Sequence, residues 1–326
     1  MIPPPPTGPL RFPAEWEPLE AVWVVPPHNA ETWPGCLDEA QAEHAAWCAA
    51  LREVVWVRST KKAFLPTDDS WIRDFGPLFV FDADQRLVVQ DFRFNGWGQK
   101  YEPRPHDDEI AQAIGETLGL AVVRHEHVLE GGALDTNGRG TLLTTTDCLL
   151  NPSRSGDANR PPTREAMERL LGDHLGIAET IWLTAPDADE FPGALPGDDT
   201  DGHVDNLARF VTPDTVAVHP ALNTAPLRDA RLGVLTLPQP EPVFYDYPAT
   251  ETEPATRRPL PASYANFLIA NGRVFVPTFG QPADDRALRL LDDAMPDHTP
   301  VPIRANHLLV GLGSLHCLSM QQPAIP

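Results

Sequence analysis

Short groups of strands, each followed by a single helix, recur along these 326 residues, and that alternation constrains the fold most. Pro77 to Phe81 and Arg86 to Phe92 read as a hairpin around an Asp82–Gln85 turn, followed by a helix over Asp107 to Leu118 and a strand at Ala121 to Val123. Thr141 to Thr144 and Cys148 to Leu150 look extended, and a helix from Thr163 to Leu175 follows with Thr163 as its N-cap. Thr180 to Leu183 is a strand. Asn206 to Val211 pairs with Thr215 to His219 across a Pro-Asp turn. Tyr264 to Ala270 and Arg273 to Pro277 flank Asn271-Gly272, a strong hairpin signal; a helix at Pro282 to Leu291 and a strand at Leu308 to Val310 complete the series. Near the start, Glu20 to Val25 and Val54 to Val57 read as strands on either side of a helix from Leu37 to Val54, with Ala40, Ala45, Trp47, Cys48 and Leu51 inward. The pattern predicts α/β modules with mixed strand pairing rather than a doubly wound parallel sheet. No linker interrupts it, so one domain over 1–326 is the simplest expectation.

The 37 prolines are scattered, which suits many short elements joined by fixed turns. The one dense run, Pro3 to Pro6, reads as an extended lead-in. Ala185 to Gly202 is acidic, rich in Pro and Gly, and reads as a long functional loop. No apolar stretch is long enough to span a membrane and no secretory leader is apparent, so a cytoplasmic location is expected. With 46 acidic against 25 basic residues the formal charge is −21. That argues against nucleic acid and anionic membranes as partners and is compatible with a small cation. The four cysteines form no CxxC pair, and Cys36, Cys48 and Cys148 read as ordinary buried thiols.

Four clusters carry chemistry. In Trp71-Ile72-Arg73-Asp74-Phe75-Gly76-Pro77, Asp74 stands in a strand-entry loop; taken alone it reads as a turn residue. Glu130-Gly131-Gly132 suggests a carboxylate held where backbone must approach closely, although a plain Gly-Gly turn explains it too. In Asp201-Gly202-His203-Val204-Asp205-Asn206, an extended conformation would put His203 and Asp205 on one face, an imidazole beside a charge-binding carboxylate. A calcium loop fails there, because the first and twelfth positions would be Gly197 and Ala208. HxD also offers too few ligands for a hydrolase metal, so no metal is expected. The last cluster, Gly311 to Leu318, puts Cys317 in a Gly-rich stretch beside polar groups. His316 is its neighbour in sequence but reads as structural, since adjacent extended residues face opposite ways.

Together, in this order, these clusters resemble the agmatine deiminase and bacterial peptidylarginine deiminase family of guanidine-modifying enzymes. The resemblance runs from Phe12-Pro13-Ala14-Glu15-Trp16 through Pro27-His28-Asn29, Trp71 to Pro77, Phe94 to Gly98, Leu129 to Gly132, Thr141 to Arg154, Asp201 to Val211 and Ser263 to Pro277, ending at Gly311 to Pro323. It implies a five-bladed α/β propeller (pentein fold) of pseudo-repeated strand–strand–helix–strand modules. It also implies roles: Cys317 as nucleophile, His203 as acid and base oriented by Glu130, and Asp74 and Asp205 as acceptors for the guanidinium, with Trp71, Trp97 and Asn266 near the substrate. No metal or organic cofactor enters that chemistry.

Peptidylarginine-type relatives resemble one another in a basic pair after the Asp74 hairpin. This chain has Asn95-Gly96-Trp97-Gly98 there, which suits a cation without a carboxylate, such as agmatine, and so a place in putrescine and polyamine metabolism. Phe75, Pro26 and Met320 depart from the family pattern around the substrate pocket. The alternatives are a peptidylarginine or free arginine deiminase, an amidino-transferring relative, and a catalytically silent guanidinium-binding protein of the same fold. Assembly as a homodimer is left open by the sequence.

Overall fold

The computed structural model describes residues 6, 8–102, 104–154, 161–186, 195–249 and 254–326. Five of its sheets have three strands, and all five are built alike: an antiparallel pair whose second strand crosses through a helical segment to a parallel third. The first module pairs β1 (Leu19–Val24) with β2 (Trp56–Ser59) through the helix Leu37–Leu51. The second joins β3 (Leu78–Phe81), β4 (Leu87–Arg93) and β5 (Ala121–Val128), crossing by the helix Pro105–Leu118. The third joins β6 (Asp135–Thr136), β7 (Thr141–Thr145) and β8 (Glu179–Leu183) by the helix Arg164–Leu175. The fourth has β9 (Ala208–Thr212), β10 (Thr215–Val218) and β11 (Gly233–Thr236), crossing by the short helix Ala225–Asp229. A separate hairpin, β12 (Val243–Tyr247) with β13 (Thr256–Leu260), precedes the fifth module. That module contains β14 (Leu268–Ala270), β15 (Arg273–Thr278) and β16 (Thr299–Arg304), crossing by the helix Pro282–Ala294. The last strand, β17 (Ser319–Pro323), returns to pair antiparallel with β1, Trp23 opposite Met320, and supplies the strand the first module lacks.

Local chemistry explains most boundaries. Thr163 accepts a hydrogen bond from the Ala166 amide and starts its helix as an N-cap. Gln281 and Asp284 form a reciprocal capping box around Pro282. Asn271 and Gly272 both have positive φ, as a two-residue hairpin turn requires. Trp23, Trp33 and Trp47 are fully buried in a core cluster running from Phe12 to Met320, each contributing on the order of a few kcal/mol by leaving water.

Several expectations are corrected. On the first helix Ala45 is exposed, and Glu43 and His44 turn inward because both find polar partners at Leu308 and Cys48. Cys148 lies in a helical turn over Thr146–Leu149 capped by Thr145, not in a strand. Leu308–Gly311 is a 3-10 turn, and the strands of that region are β16 and β17. Residues 187–194 of the acidic loop and most of the Pro3 to Pro6 run lie outside the described residues. Among the described residues no helix is long and apolar enough to cross a membrane.

Candidate active site

All but one of the predicted site residues stand in a loop that enters the first strand of a module: Trp71 and Asp74 before β3, Glu130 before β6, His203 and Asp205 before β9, Asn266 before β14, and Cys317 before β17; Trp97 instead follows β4. These five loops are joined in a closed ring of hydrogen bonds. The Gly132 amide donates to Asp74 Oδ1 (3.0 Å), and Glu130 Oε2 lies 2.7 Å from His203 Nε2. Asn266 Nδ2 donates to Asn206 Oδ1 (3.0 Å) and to Cys317 Sγ (3.1 Å), and the Arg73 amide donates to the Cys317 carbonyl (3.2 Å). The modular repeat thus presents one equivalent loop per module to a shared centre.

The Glu-Gly-Gly motif is explained by close approach. A Cβ on Gly132 would lie 2.5 Å from His203 Nδ1 and 2.6 Å from Asp74 Oδ1, so only glycine lets all three share the space. His203 and Asp205 are not on an extended strand as expected, since Val204–Asn206 forms a 3-10 turn. The turn sends the two side chains to different partners, His203 to Glu130 and Asp205 to His316 and Cys317. His203 Nδ1, which faces Asp74 Oδ1 at 3.5 Å, and Asp205 Oδ1 are both buried with no hydrogen-bond partner among the described residues. Buried polar atoms are rarely left so, and a ligand bearing N–H groups would satisfy the carboxylate.

Charges are set by neighbours. Burial alone would pull the His203 imidazole down, but Asp74 and Glu130 outweigh it and hold it protonated well above the ordinary histidine range. Burial would likewise raise Glu130, yet the bond to His203 and the Arg154 guanidinium hold it below its usual value. Burial, with the charges of Glu130 and Asp205 nearby, lifts Asp74 to about 6. The Cys317 thiol is raised well above its usual range by burial and then by Asp205, 3.5 Å away, and by Asp74. The thiol is therefore neutral among these carboxylates, and a cation between Asp74 and Asp205 would reverse that preference.

His316 does not touch the Cys317 sulfur. Its Nδ1 meets Asp205 Oδ2 at 2.8 Å and its Nε2 meets Glu15 Oε2 at 2.9 Å, so it braces Asp205 from behind. Glu15 also pairs with Arg209 (2.9 Å) and Arg73 (3.5 Å). Asn266 Oδ1 accepts from Ser314 Oγ (2.8 Å) and from the His316 amide (3.1 Å), which shapes the turn that carries Cys317. A Cβ on Gly313 would lie 2.4 Å from the Trp71 ring.

Cys317, Asp74, Trp71 and Trp97 line a cavity of about 1040 Å³. Trp97 donates from its indole to Asp74 Oδ2 (2.9 Å), and Trp71 stacks on Trp33 (5.4 Å between ring centres). The same cavity is also lined by Glu31, Asp198 and Asp199, and by Arg104 and Arg258. The uncharged Asn95–Gly98 loop did not reveal Arg104, which bonds Asp69 (2.9 Å) and packs over Trp97 and Tyr101.

Sequence reasoning missed Arg154, His316's bracing contacts, Glu15, and the position of Cys148. Cys148 is buried as expected, but its Sγ is 3.9 Å from Glu130 Oε2. Glu130, Cys148 and His203 offer donor atoms within 4.8 Å of one another. A metal ion there would meet the Arg154 guanidinium, which donates to both Glu130 oxygens, so the set fits a metal poorly. Only the adjacent Gly-Gly pair hinted that this loop was tightly packed.

Strand–strand–helix–strand modules thus surround a buried centre of carboxylates, an imidazole and a thiol. The family model for Porphyromonas-type peptidyl-arginine deiminase matches residues 11–323, and the chain belongs to this family. It is 35% identical to an agmatine deiminase of Stutzerimonas stutzeri, over 96% of this chain and 95% of that protein. The structure of the C. jejuni agmatine deiminase with substrate bound superimposes with a TM-score of 0.83 at 27% identity, covering 96% of each chain. That of the Enterococcus faecalis agmatine deiminase gives 0.81, also at 27% identity and 96% of each chain. A dimethylarginine dimethylaminohydrolase, at 12% identity and a TM-score of 0.56 over 93% of this chain and 99% of that one, shares the fold.

Proposed function

We propose that this chain is an agmatine deiminase, a single catalytic domain that hydrolyses agmatine to N-carbamoylputrescine and ammonia. The observation that carries this reading is the pair of buried atoms without a hydrogen bond, Asp205 Oδ1 and His203 Nδ1, the first on the carboxylate 3.5 Å from the Cys317 sulfur and the second 3.5 Å from Asp74. A planar guanidinium set between Asp74 and Asp205 donates N–H bonds to both carboxylates. Its charge offsets theirs, and the Cys317 proton passes to solvent through the cavity as the guanidinium binds. The thiolate attacks the guanidinium carbon and forms a C–S bond. His203, held by Glu130, gives its proton to one nitrogen, and the C–N bond breaks to release ammonia. The neutral imidazole then takes a proton from water, which attacks the thiouronium carbon. The C–S bond breaks, the remaining hydroxyl proton passes to the released ammonia or solvent, the ureido product leaves, and the thiolate is restored. Every step uses a side chain of this protein, without metal or organic cofactor.

Agmatine is favoured by the acidic lining, where Glu31, Asp198 and Asp199 suit a terminal amine, and by relatives named agmatine deiminases at 33–35% identity. That product, a carbamoylated putrescine, suits a role in putrescine formation. One observation favours a second reading, a peptidylarginine or free arginine deiminase: Arg104 and Arg258 line the same cavity and suit a carboxylate. Ammonia release from agmatine, free arginine and a C-terminal-arginine peptide tests both, with Cys317→Ala as control. Turnover of the peptide but not agmatine reverses the substrate assignment, and no turnover of any guanidine rejects the enzyme in favour of a guanidinium-binding protein.

A further inference from the structure

Arg154 has no part in the steps above, yet it is buried at the back of the Glu130–His203 pair. Its Nε donates to Glu130 Oε1 and its Nη2 to Oε2, each at 3.1 Å, a fork on a carboxylate. The same Nη2 donates to the Thr200 carbonyl (3.0 Å), and Nη1 pairs with Asp201. Thr200 in turn accepts from the His203 amide through its hydroxyl (3.0 Å). One guanidinium therefore holds both the carboxylate that meets the imidazole and the turn from which that imidazole projects. Asp201 is also tied to Lys100, beside the Trp97 loop, and Thr200 lies on the cavity wall.

We propose that Arg154 is a positioning residue for the Glu130–His203 pair, holding Glu130 ionised in the orientation that receives the imidazole while pinning the Thr200–Asp201 turn beside the substrate cavity. The inference rests on the catalytic reading of His203 given above. The ionisable groups facing Glu130 are His203, Arg154 and Cys148, with Asp74 beyond the imidazole. Of these, Arg154 is the permanent cation. Removing it leaves the pair with greater proton affinity, so Glu130 takes up its proton at a higher pH. A protonated Glu130 no longer supports the imidazolium, and turnover stops sooner on the acid side. The direction agrees with Glu130 lying below its ordinary value partly because of Arg154.

The test compares wild type, Arg154→Met and Arg154→Lys. In Arg154→Met the acid limb of kcat/KM moves up by about one pH unit or more, the size expected for losing a neighbouring opposite charge. Arg154→Lys keeps the limb in place while lowering kcat, because an ammonium supplies the charge but not the fork. A substrate-free measurement accompanies it: in enzyme with ¹⁵N-labelled histidine, the acid-side step in the His203 resonances moves up alongside the limb. This readout needs no turnover, so a wrong substrate assignment neither produces nor hides it. A folded Arg154→Met enzyme that is slower at every pH, with limb and resonance step unmoved, overturns the proposal. Should near-ultraviolet circular dichroism show that the methionine variant does not fold, Arg154→Lys decides: a limb displaced there, where charge is kept, overturns it equally.

Discussion

The Cys317 sulfur lies 3.5 Å from the Asp205 carboxylate, close enough for one negative group to suppress the other. Asp205→Asn removes that repulsion. Turnover falls, on the order of a hundredfold or more, because the guanidinium loses a charged acceptor. In the absence of substrate, however, alkylation of Cys317 by iodoacetamide near pH 8 becomes faster, because more of the thiol is ionised. A variant that loses both turnover and alkylation would contradict the electrostatic account.

His203→Ala is expected to lower kcat by about 10²–10⁴, the usual contribution of a positioned acid–base group. Mass spectrometry of the variant exposed to agmatine then finds an adduct on Cys317 if the first half-reaction survives. An adduct on any other residue overturns the assignment of the nucleophile.

Trp97→Phe keeps an aromatic ring against Phe94 and Tyr101 but deletes the indole N–H to Asp74 Oδ2. The expected loss is about 1.5–3 kcal/mol, the range for one hydrogen bond to a charged group. It should be read in kcat/KM for agmatine, with thermal stability nearly unchanged.

Gly132→Ala tests the close approach directly. The added methyl overlaps His203 and Asp74, so activity should collapse. Crystallography or histidine NMR would then find the imidazole displaced; an active variant with His203 in place would remove the reason given for the glycine.

Glu15 is buried between Arg209, Arg73 and His316. Burial raises its pKa, but Arg209 and His316 more than offset that and hold it well below the ordinary value. Its contribution to stability is therefore complete above the unfolded pKa of about 4.3 and lost progressively as pH falls further. Glu15→Gln should cost about 3–5 kcal/mol at pH 7, because two guanidinium groups lose their buried counter-charge. The gap between variant and wild type should narrow at pH 3.5 in urea denaturation.

Elements governed by local chemistry were legible in the sequence. The Asn271-Gly272 turn, the Thr163 cap and the Asp82–Gln85 hairpin each depend on a few adjacent residues, and all three are present. β16 was hidden by Pro300 and Pro302 and β17 by its polar composition, Ser319-Met320-Gln321-Gln322-Pro323, because both are specified by distant partners. The site divides the same way. Asp74, Glu130, His203, Asp205 and Cys317 stand in motifs that signal themselves by glycines and neighbouring polar groups. Arg154 and Glu15 act across 24 and 301 residues of chain, on Glu130 and His316, and nothing adjacent to either announces it.

The pairing of β17 with β1 makes the enzyme a lock that closes with its final turn. Cys317 sits two residues before that strand, and its carbonyl is gripped by Arg73 from the second module. A chain still emerging from synthesis, with every carboxylate and the imidazole already in place, would lack the seat for its sulfur. Catalytic competence should therefore arrive in one step, when β17 pairs with β1, and its onset can be timed as a reporter of that pairing.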